Sequence, residues 1–230
     1  MTASLLLLSL SSLADNKIIL ENVQTGDNFN LQITQAGVNN KIDCYYVSSC
    51  DIDGSNVSLH FEQWNTSGTE NKIQIWHLDG NSNQIRWGQG AALSSSSDTT
   101  FNYDGSEGGG HYARLDIHGN SNSIIGFQKN DGSTTGHVFT SLIWSDNNSV
   151  WAGQMGNGKK TLHIHTYNDG NNITSRQIGN GAEHNASIVL NGSYPTSINL
   201  LQQGTTTQNY SISQNCQTSG GCSVGVTQGN

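Results

Sequence analysis

Apolar residues recur at spacing two along nearly the whole chain, in short runs such as Leu31/Ile33, Leu59/Phe61, Ile73/Ile75, Leu115/Ile117, Leu162/Ile164 and Ile188/Leu190. Side chains alternate across an extended strand, so this period predicts strands with one buried face. The three- and four-residue spacings of an amphipathic helix are missing. Gly, Asn and Asp separate the runs, as in Asp79-Gly80-Asn81 and Asp169-Gly170-Asn171, and supply the turns.

A longer frame lies over the short one. An apolar residue stands four before a Gln at Leu31/Gln35, Leu59/Gln63, Ile85/Gln89, Ile124/Gln128, Val150/Gln154, Ile173/Gln177, Ile198/Gln202 and Val224/Gln228. Successive Gln residues are 28, 26, 39, 26, 23, 25 and 26 apart, so one unit recurs with insertions. Two before the aliphatic residue stands Asn83, Asn122, Asn148 or Asn171 in four of the copies. Between these first arms run second arms with inward pairs expected at Ile42/Cys44, Ile73/Ile75, Leu115/Ile117, Leu142/Trp144, Leu162/Ile164, Ile188/Leu190 and Ile212/Gln214.

A period near 25 residues predicts an all-β solenoid in which each strand-turn-strand rung lies on its neighbour. About eight rungs at ~4.8 Å give a rod about 35–40 Å long. The register is checked by charge: if the aliphatic residue points inward, so do the residues two and four further on. That set carries no charge in any copy, while Lys41, Asp43, Glu62, Lys72, Arg86, Asp116 and Arg176 fall outward. A one-residue slip would bury Arg86. The inward Gln and Asn residues need partners, and amides stacked in register can provide them as ladders, as in cross-β assemblies.

Composition agrees. Charged residues make up 11% of the chain against about 25% in an ordinary globular domain. Gly numbers 27 and Pro one. A net charge of −8 with no Lys/Arg stripe argues against nucleic acid as a partner. Residues 1–14, with an apolar run at Leu5 to Leu10 and Ser12-Leu13-Ala14 after it, read as a secretory signal. The run is too short to span a bilayer, so no membrane insertion is expected. Residues 15–230 then form a single solenoid domain with a surface loop inserted at 90–112. Cys44/Cys50 and Cys216/Cys222, at matched spacing, are disulfide candidates suited to an oxidising compartment.

Gln35-Ala36-Gly37-Val38-Asn39-Asn40, with partial copies at Gln154-Met155-Gly156, Gln177-Ile178-Gly179 and Gln202-Gln203-Gly204, resembles the curlin repeat of bacterial curli fibres. The likeness extends over residues 16–230 as spacing rather than as strict motif. It implies an extracellular, amyloid-like fibre serving biofilm matrix or adhesion, with a nucleator subunit and an outer-membrane secretion apparatus as partners.

The ends fit a self-adding rod. Asn-Lys-Ile opens second arms at 40–42 and 71–73 and recurs at 16–18, so Asn16, Ile18 and Leu20 would form one half-rung. Val224, Val226 and Gln228 would form the complementary half-rung, giving head-to-tail addition of the chain to itself. No catalytic residue, metal ligand or cofactor is expected. The acids sit mostly in turns, and Asp43 and Asp116 fall two rungs apart. His118 and His165 share a column but are separated by Ser145, and His163 with His165 offers only a weak pair. Trp76 and Trp151 face outward, whereas Trp87 and Trp144 are assigned to the core. The alternative function is a monomeric adhesin, or a glycan-binding or glycan-cleaving solenoid.

Overall fold

The computed structural model describes residues 8–10, 16–18, 30–44, 52, 55–105 and 107–229. The strands in chain order are β1 (Leu8–Leu10), β2 (Lys17–Ile18), β3 (Asn30–Gly37), β4 (Asn40–Cys44), β5 (Ser58–Asn65), β6 (Asn71–Asp79), β7 (Gln84–Gln89), β8 (Tyr112–His118) and β9 (Ser123–Lys129). They continue as β10 (Val138–Ile143), β11 (Ser149–Met155), β12 (Lys160–Thr166), β13 (Asn172–Ile178), β14 (His184–Gly192), β15 (Thr196–Gln203), β16 (Gln208–Cys216) and β17 (Cys222–Gln228). Odd-numbered strands form one parallel sheet and even-numbered strands the other, each strand pairing with the equivalent strand one turn away. The chain is a β-solenoid with its core between the two sheets.

The Gln frame sets the register of the first sheet without a slip. Gln35, Gln63, Gln89, Gln128, Gln154, Gln177, Gln202 and Gln228 stand opposite one another from β3 to β17. Ile33, Leu59, Phe61, Ile85, Ile124, Val150, Ile173 and Ile198 fill the apolar columns beside them and are buried. Size is traded between rungs: Trp87 lies flat on Phe139, with centroids 4.1 Å apart. Its room comes from Gly126 on the next rung, where a Cβ would stand 2.6 Å from the indole. Gly37, at φ +80°, closes the Gln-x-Gly turn where a side chain would collide with the Asn65 carbonyl.

Four expectations need correction. On β10 the inward residues are Phe139, Ser141 and Ile143, opposite Ala113, Leu115 and Ile117, so Leu142 faces outward. Trp144 follows Leu142 outward of the core and is 57% exposed. The two-residue period is present in both registers of Val138-Phe139-Thr140-Ser141-Leu142-Ile143, and volume decides: Phe139 fills the space beside Trp87.

The inserted segment is not a simple surface loop. It folds back through an antiparallel bridge, Ala92 to Asn102, and lays Ala91, Leu93 and Phe101 on the outer face of the first sheet against Phe127, with Trp151 at the margin. Gly88 leaves the space that the Phe101 ring occupies. The outward charges there are paired by the insertion: Arg86 donates to the Ser96 carbonyl at 2.8 Å, Lys129 pairs with Asp104, and Tyr103 donates to Glu62. Burial, followed by the Glu62 partner, pushes the Tyr103 phenol pKa upward.

The third correction concerns Asp43 and Asp116. Asp43 stands in the column of Gln74 and Arg114, whereas Asp116 stands opposite His77. The small inward residue Ala113, rather than Leu115, stands opposite Ile73, so an alignment on the first large aliphatic residue of β8 is two residues out. Beyond it a β-bulge at Trp76, an extra residue between Ile75, opposite Leu115, and His77, opposite Asp116, turns His77 outward. His118 lies beside Asp79 and Trp144, and because Ala113 and Phe139 rather than Leu115 and Leu142 stand in the column of Leu162, His165 shares a column with Leu142 and Asp116. This last placement corrects the His118/His165 column.

In the full chain Leu8–Leu10, inside the expected signal, pairs with β3 and sets Leu10 opposite Gln35. Cys216 and Cys222 are joined, with Cα atoms 5.8 Å apart, linking the end of β16 to the start of β17. Cys44 ends β4, and its candidate partner Cys50 lies outside the described residues. Leu20 lies outside them as well.

Phe101→Ala should cost about 3–5 kcal/mol, because the ring is buried and both Phe127 and Gly88 would lose their cover. Denaturant unfolding, read as the midpoint shift at constant m, measures it. Loss of less than about 1 kcal/mol would mean that the insertion is not packed on the sheet.

Candidate functional site

The expected Gln residues form one continuous chain of amide hydrogen bonds. Gln35 Nε2 donates to Gln63 Oε1 at 2.8 Å, Gln63 to Gln89 at 2.8 Å, Gln89 to Gln128 at 2.9 Å and Gln128 to Gln154 at 2.9 Å. The series continues from Gln154 to Gln177, Gln177 to Gln202 and Gln202 to Gln228, each at 2.8 Å. The second amide hydrogen crosses to the opposite sheet: Gln89 to the Lys72 carbonyl, Gln128 to Tyr112, Gln154 to Val138, Gln202 to Asn185 and Gln228 to Asn209. From Gln63 to Gln202 the side chains thus tie each rung to the next and one sheet to the other. All the donors point the same way along the rod.

Asn83, Asn122, Asn148 and Asn171 form a second column at the corner leading into the first arms. Asn83 Oδ1 accepts the Asn122 backbone N–H at 2.9 Å, Asn122 Oδ1 accepts that of Asn148 at 2.9 Å, and Asn148 Oδ1 accepts that of Asn171 at 3.0 Å. Asn171 Oδ1 passes the role to Thr196, whose N–H lies at 2.8 Å. Their Nδ2 groups fold back onto turn carbonyls, Asn83 onto Asp79 and Asn122 onto Ser145.

A third column, at the opposite corner, escaped the sequence reading. Asn16 Oδ1 accepts from the Asn40 N–H at 2.9 Å, and Asn71 Oδ1 from that of His111 at 3.1 Å. His111 Nδ1 then accepts from the His137 N–H at 3.0 Å, and His137 Nδ1 from that of Lys160 at 3.2 Å. The side chains also reach back to the carbonyl after the ladder Gln: Asn40 to Ala36, Asn71 to Trp64, His137 to Lys129 and His184 to Ile178. Only Asn16, Asn40 and Asn71 carry the Asn-Lys-Ile signal. In later rungs imidazole replaces the amide, keeping one acceptor and one donor but hiding the repeat.

Lys160 is wholly enclosed in this column. Its Nζ is ringed by the carbonyls of Asn157, Gly158, Gly179 and Ala182 at 2.9 to 3.0 Å. Burial lowers its pKa to about 8, so at neutral pH it remains an ammonium solvated by backbone.

On the outer face of the second sheet the Trp76 bulge gathers His77, Asp116 and His118. Asp116 Oδ1 lies 3.2 Å from His77 Nδ1 and 3.0 Å from His118 Nε2, while Asp79 Oδ2 lies 2.8 Å from His118 Nδ1. Arg114 donates to Asp116 Oδ2 at 2.8 Å and covers the Trp76 ring. Strict alternation would have turned His77 inward, so spacing alone did not reveal the group. Trp144 and Tyr167, 57% and 49% exposed, continue the His118 column.

The described residues that the sequence marks for assembly stand toward the two ends of the sheets. Ile18 of β2 is opposite Ile42 and packs on the core edge. Val224, Val226 and Gln228 on β17 are half-buried in columns whose members are almost wholly buried one rung inward, at Ile198, Leu200 and Gln202. Among the described residues nothing pairs with the outer edges of β16 and β17. No family model, curated protein or solved structure matches the chain.

Gln154→Ala should cost about 3–5 kcal/mol, since it strands the Gln128 amide, the Gln177 oxygen and the Val138 carbonyl together. Thermal or denaturant unfolding reads the loss. Gln228→Ala, at the open end, should cost about 1 kcal/mol.

Stability should also fall in mild acid. Burial, reinforced by the charge of its neighbour His137, holds His111 well below 6.5, and burial holds His137 at about 3. Both stay neutral in the folded chain, whereas the unfolded chain takes up a proton on each near 6.5. Their contribution is therefore complete above pH 6.5 and is lost as pH falls toward 3, by up to about 1.4 kcal/mol per pH unit per histidine. Unfolding midpoints at pH 7, 6, 5 and 4 test it, and His111→Asn with His137→Asn should flatten the slope.

Proposed function

We propose that the chain is a secreted, curlin-like structural subunit that adds head to tail into an extracellular amyloid-like fibre, serving biofilm matrix or adhesion. The carrying observation is the match between the two ends. At one end β16 and β17 leave Tyr210, Ile212, Val224 and Val226 half-buried, with Gln228 the last amide of a polar ladder. At the other, β2 and β3 hold Ile18, Leu31, Ile33 and Gln35 in the same columns, with β1 laid over the β3 edge. A second copy is the occupant that fits: its β2 would lie on β16 and its β3 on β17. Gln228 Nε2 would then donate to Gln35 Oε1 of the next copy, extending the ladder in its own direction.

Such a contact is heterologous and does not close, so it makes a filament rather than a dimer. The Cys216–Cys222 bridge ties together the two strands of the terminal face; for so short a loop it contributes about 2–3 kcal/mol. A nucleator subunit and an outer-membrane secretion apparatus follow from the curlin resemblance as proposed partners. A second reading, a monomeric glycan-binding solenoid, draws on Trp144 and Tyr167, which stand exposed in one column.

Residues 1–14 bear on the ends directly. β1 occupies the edge of β3 that a second copy's β17 would take, and Leu10, which has no amide, stands opposite Gln35. Chain beginning at Asp15 should therefore form fibres and bind a thioflavin-type dye, while chain retaining residues 1–14 should assemble more slowly. Gln228→Ala should slow assembly further than its small effect on monomer unfolding. Negative-stain microscopy with dye kinetics measures all three. Isolated short rods at micromolar concentration, with no dye response, would overturn the fibre and favour the monomeric reading.

A further inference from the structure

We propose that His77, Asp116 and His118 bind a divalent transition-metal cation of the Zn2+ type, with Asp79 as the carboxylate that orients His118. The site lies on the flank of the rod and needs neither open end, so it stands apart from fibre assembly.

The donor set and its spacing carry the assignment. Two imidazole nitrogens and one carboxylate oxygen lie within 4.8 Å of one another. Asp116 Oδ1 is 3.0 Å from His118 Nε2 and 3.2 Å from His77 Nδ1. Bonds of about 2.0–2.1 Å to a tetrahedral Zn2+ place neighbouring donors about 3.3 Å apart, so the two pairs at Asp116 need only open slightly, while the widest separation in the group, up to 4.8 Å, closes by rotation of the partly exposed imidazoles. Two nitrogen donors suit Zn2+, Ni2+ or Cu2+, whereas Ca2+ and Mg2+ require oxygen cages.

The surroundings supply the second line of support. A ligating histidine typically donates its other N–H to a carboxylate, which fixes the tautomer and aims the lone pair. Asp79 Oδ2, 2.8 Å from His118 Nδ1, stands in that position. With Nδ1 carrying the proton, His118 Nε2 and Asp116 Oδ1 are two lone pairs facing each other, and a cation between them removes the conflict. Arg114 holds Asp116 by its other oxygen, Oδ2, at 2.8 Å, leaving Oδ1 toward the imidazoles. Its positive charge tempers the affinity without occupying the site.

The bulge makes the group possible. Only the extra residue Trp76 brings His77 outward beside Asp116, and bulges recur where a strand re-aims a side chain. The site opens to solvent, since the His77 and His118 side chains are 31% and 32% exposed, so water can complete a fourth position. Among the described residues no carboxylate is hydrogen-bonded to His163 or His165, and His163 is engaged by Thr140.

Titration of Zn2+ into the soluble full chain by calorimetry, with a chromophoric chelator as competitor, tests the site. One equivalent should bind saturably. His118→Ala or His77→Ala should weaken it at least 100-fold, and Asp79→Ala about 10-fold. His163→Ala should leave it unchanged. All these side chains lie on the outer face, and far-UV circular dichroism with the metal-free melting temperature verifies that each variant folds; should His118→Ala not fold, His77→Ala decides. No saturable binding, or wild-type affinity in both histidine variants, would overturn the proposal. Displacement of Zn2+ by equimolar Ca2+ would overturn the nitrogen-donor assignment.

Discussion

A buried amide left without a partner costs about 1–3 kcal/mol, and this chain encloses a Gln in nearly every turn. Parallel stacking in exact register removes the cost, because each amide then accepts from one neighbour and donates to another at 2.8–2.9 Å. The requirement is strict. A slip of one residue would replace the amide column with outward residues such as Glu62 and Arg176, and a slip of one rung would offset Trp87 from Gly126. The ladder thus fixes both the register of the strands and the order of the apolar residues beside them. The sparse aliphatic content follows: amide pairing does part of the work that apolar burial does in an ordinary core.

The first-arm sheet was legible in the sequence because Gln marks its register in every copy. The second-arm sheet was legible only where apolar residues occupy one parity. On β10 both parities are apolar, and the inward choice of Phe139 over Leu142 depends on the ring of Trp87 across the core. The Trp76 bulge was invisible for a related reason: a two-residue period cannot register a single added residue until the partner strand is known. The corner column was hidden differently, since Asn16, Asn40 and Asn71 give way to His111 and His137, which share hydrogen-bonding capacity but not identity, and then to Lys160, which only donates. The packing of the insertion left no periodic trace; Gly88 beneath Phe101 and the partners of Arg86 and Lys129 emerge only in three dimensions.

The outward face divides between sheets. On the first sheet the insertion covers Phe127 and pairs Arg86, Lys129 and Glu62, so outward charges there are structural rather than available. On the second sheet no comparable cover lies over His77, Asp116, His118 and Trp144 among the described residues. In the proposed fibre, growth along the axis would require flanks that do not pair indiscriminately, which polar columns and a covered patch favour. The uncovered flank is accordingly where side chains meet solvent.

Polarity along the rod is the deeper consequence of the ladder. Parallel strands already give the two ends different identities, and the amides reinforce it: every Nε2 points toward β17, so the ends offer a donor and an acceptor rather than two equal surfaces. Two copies meeting at like ends would set donor against donor or acceptor against acceptor at the Gln column, and β17 would meet its partner antiparallel. Opposite ends avoid both conflicts. In the proposed fibre, the interaction that makes the interior amides tolerable would therefore also favour head-to-tail over head-to-head contact, the condition for an open filament in place of a closed dimer.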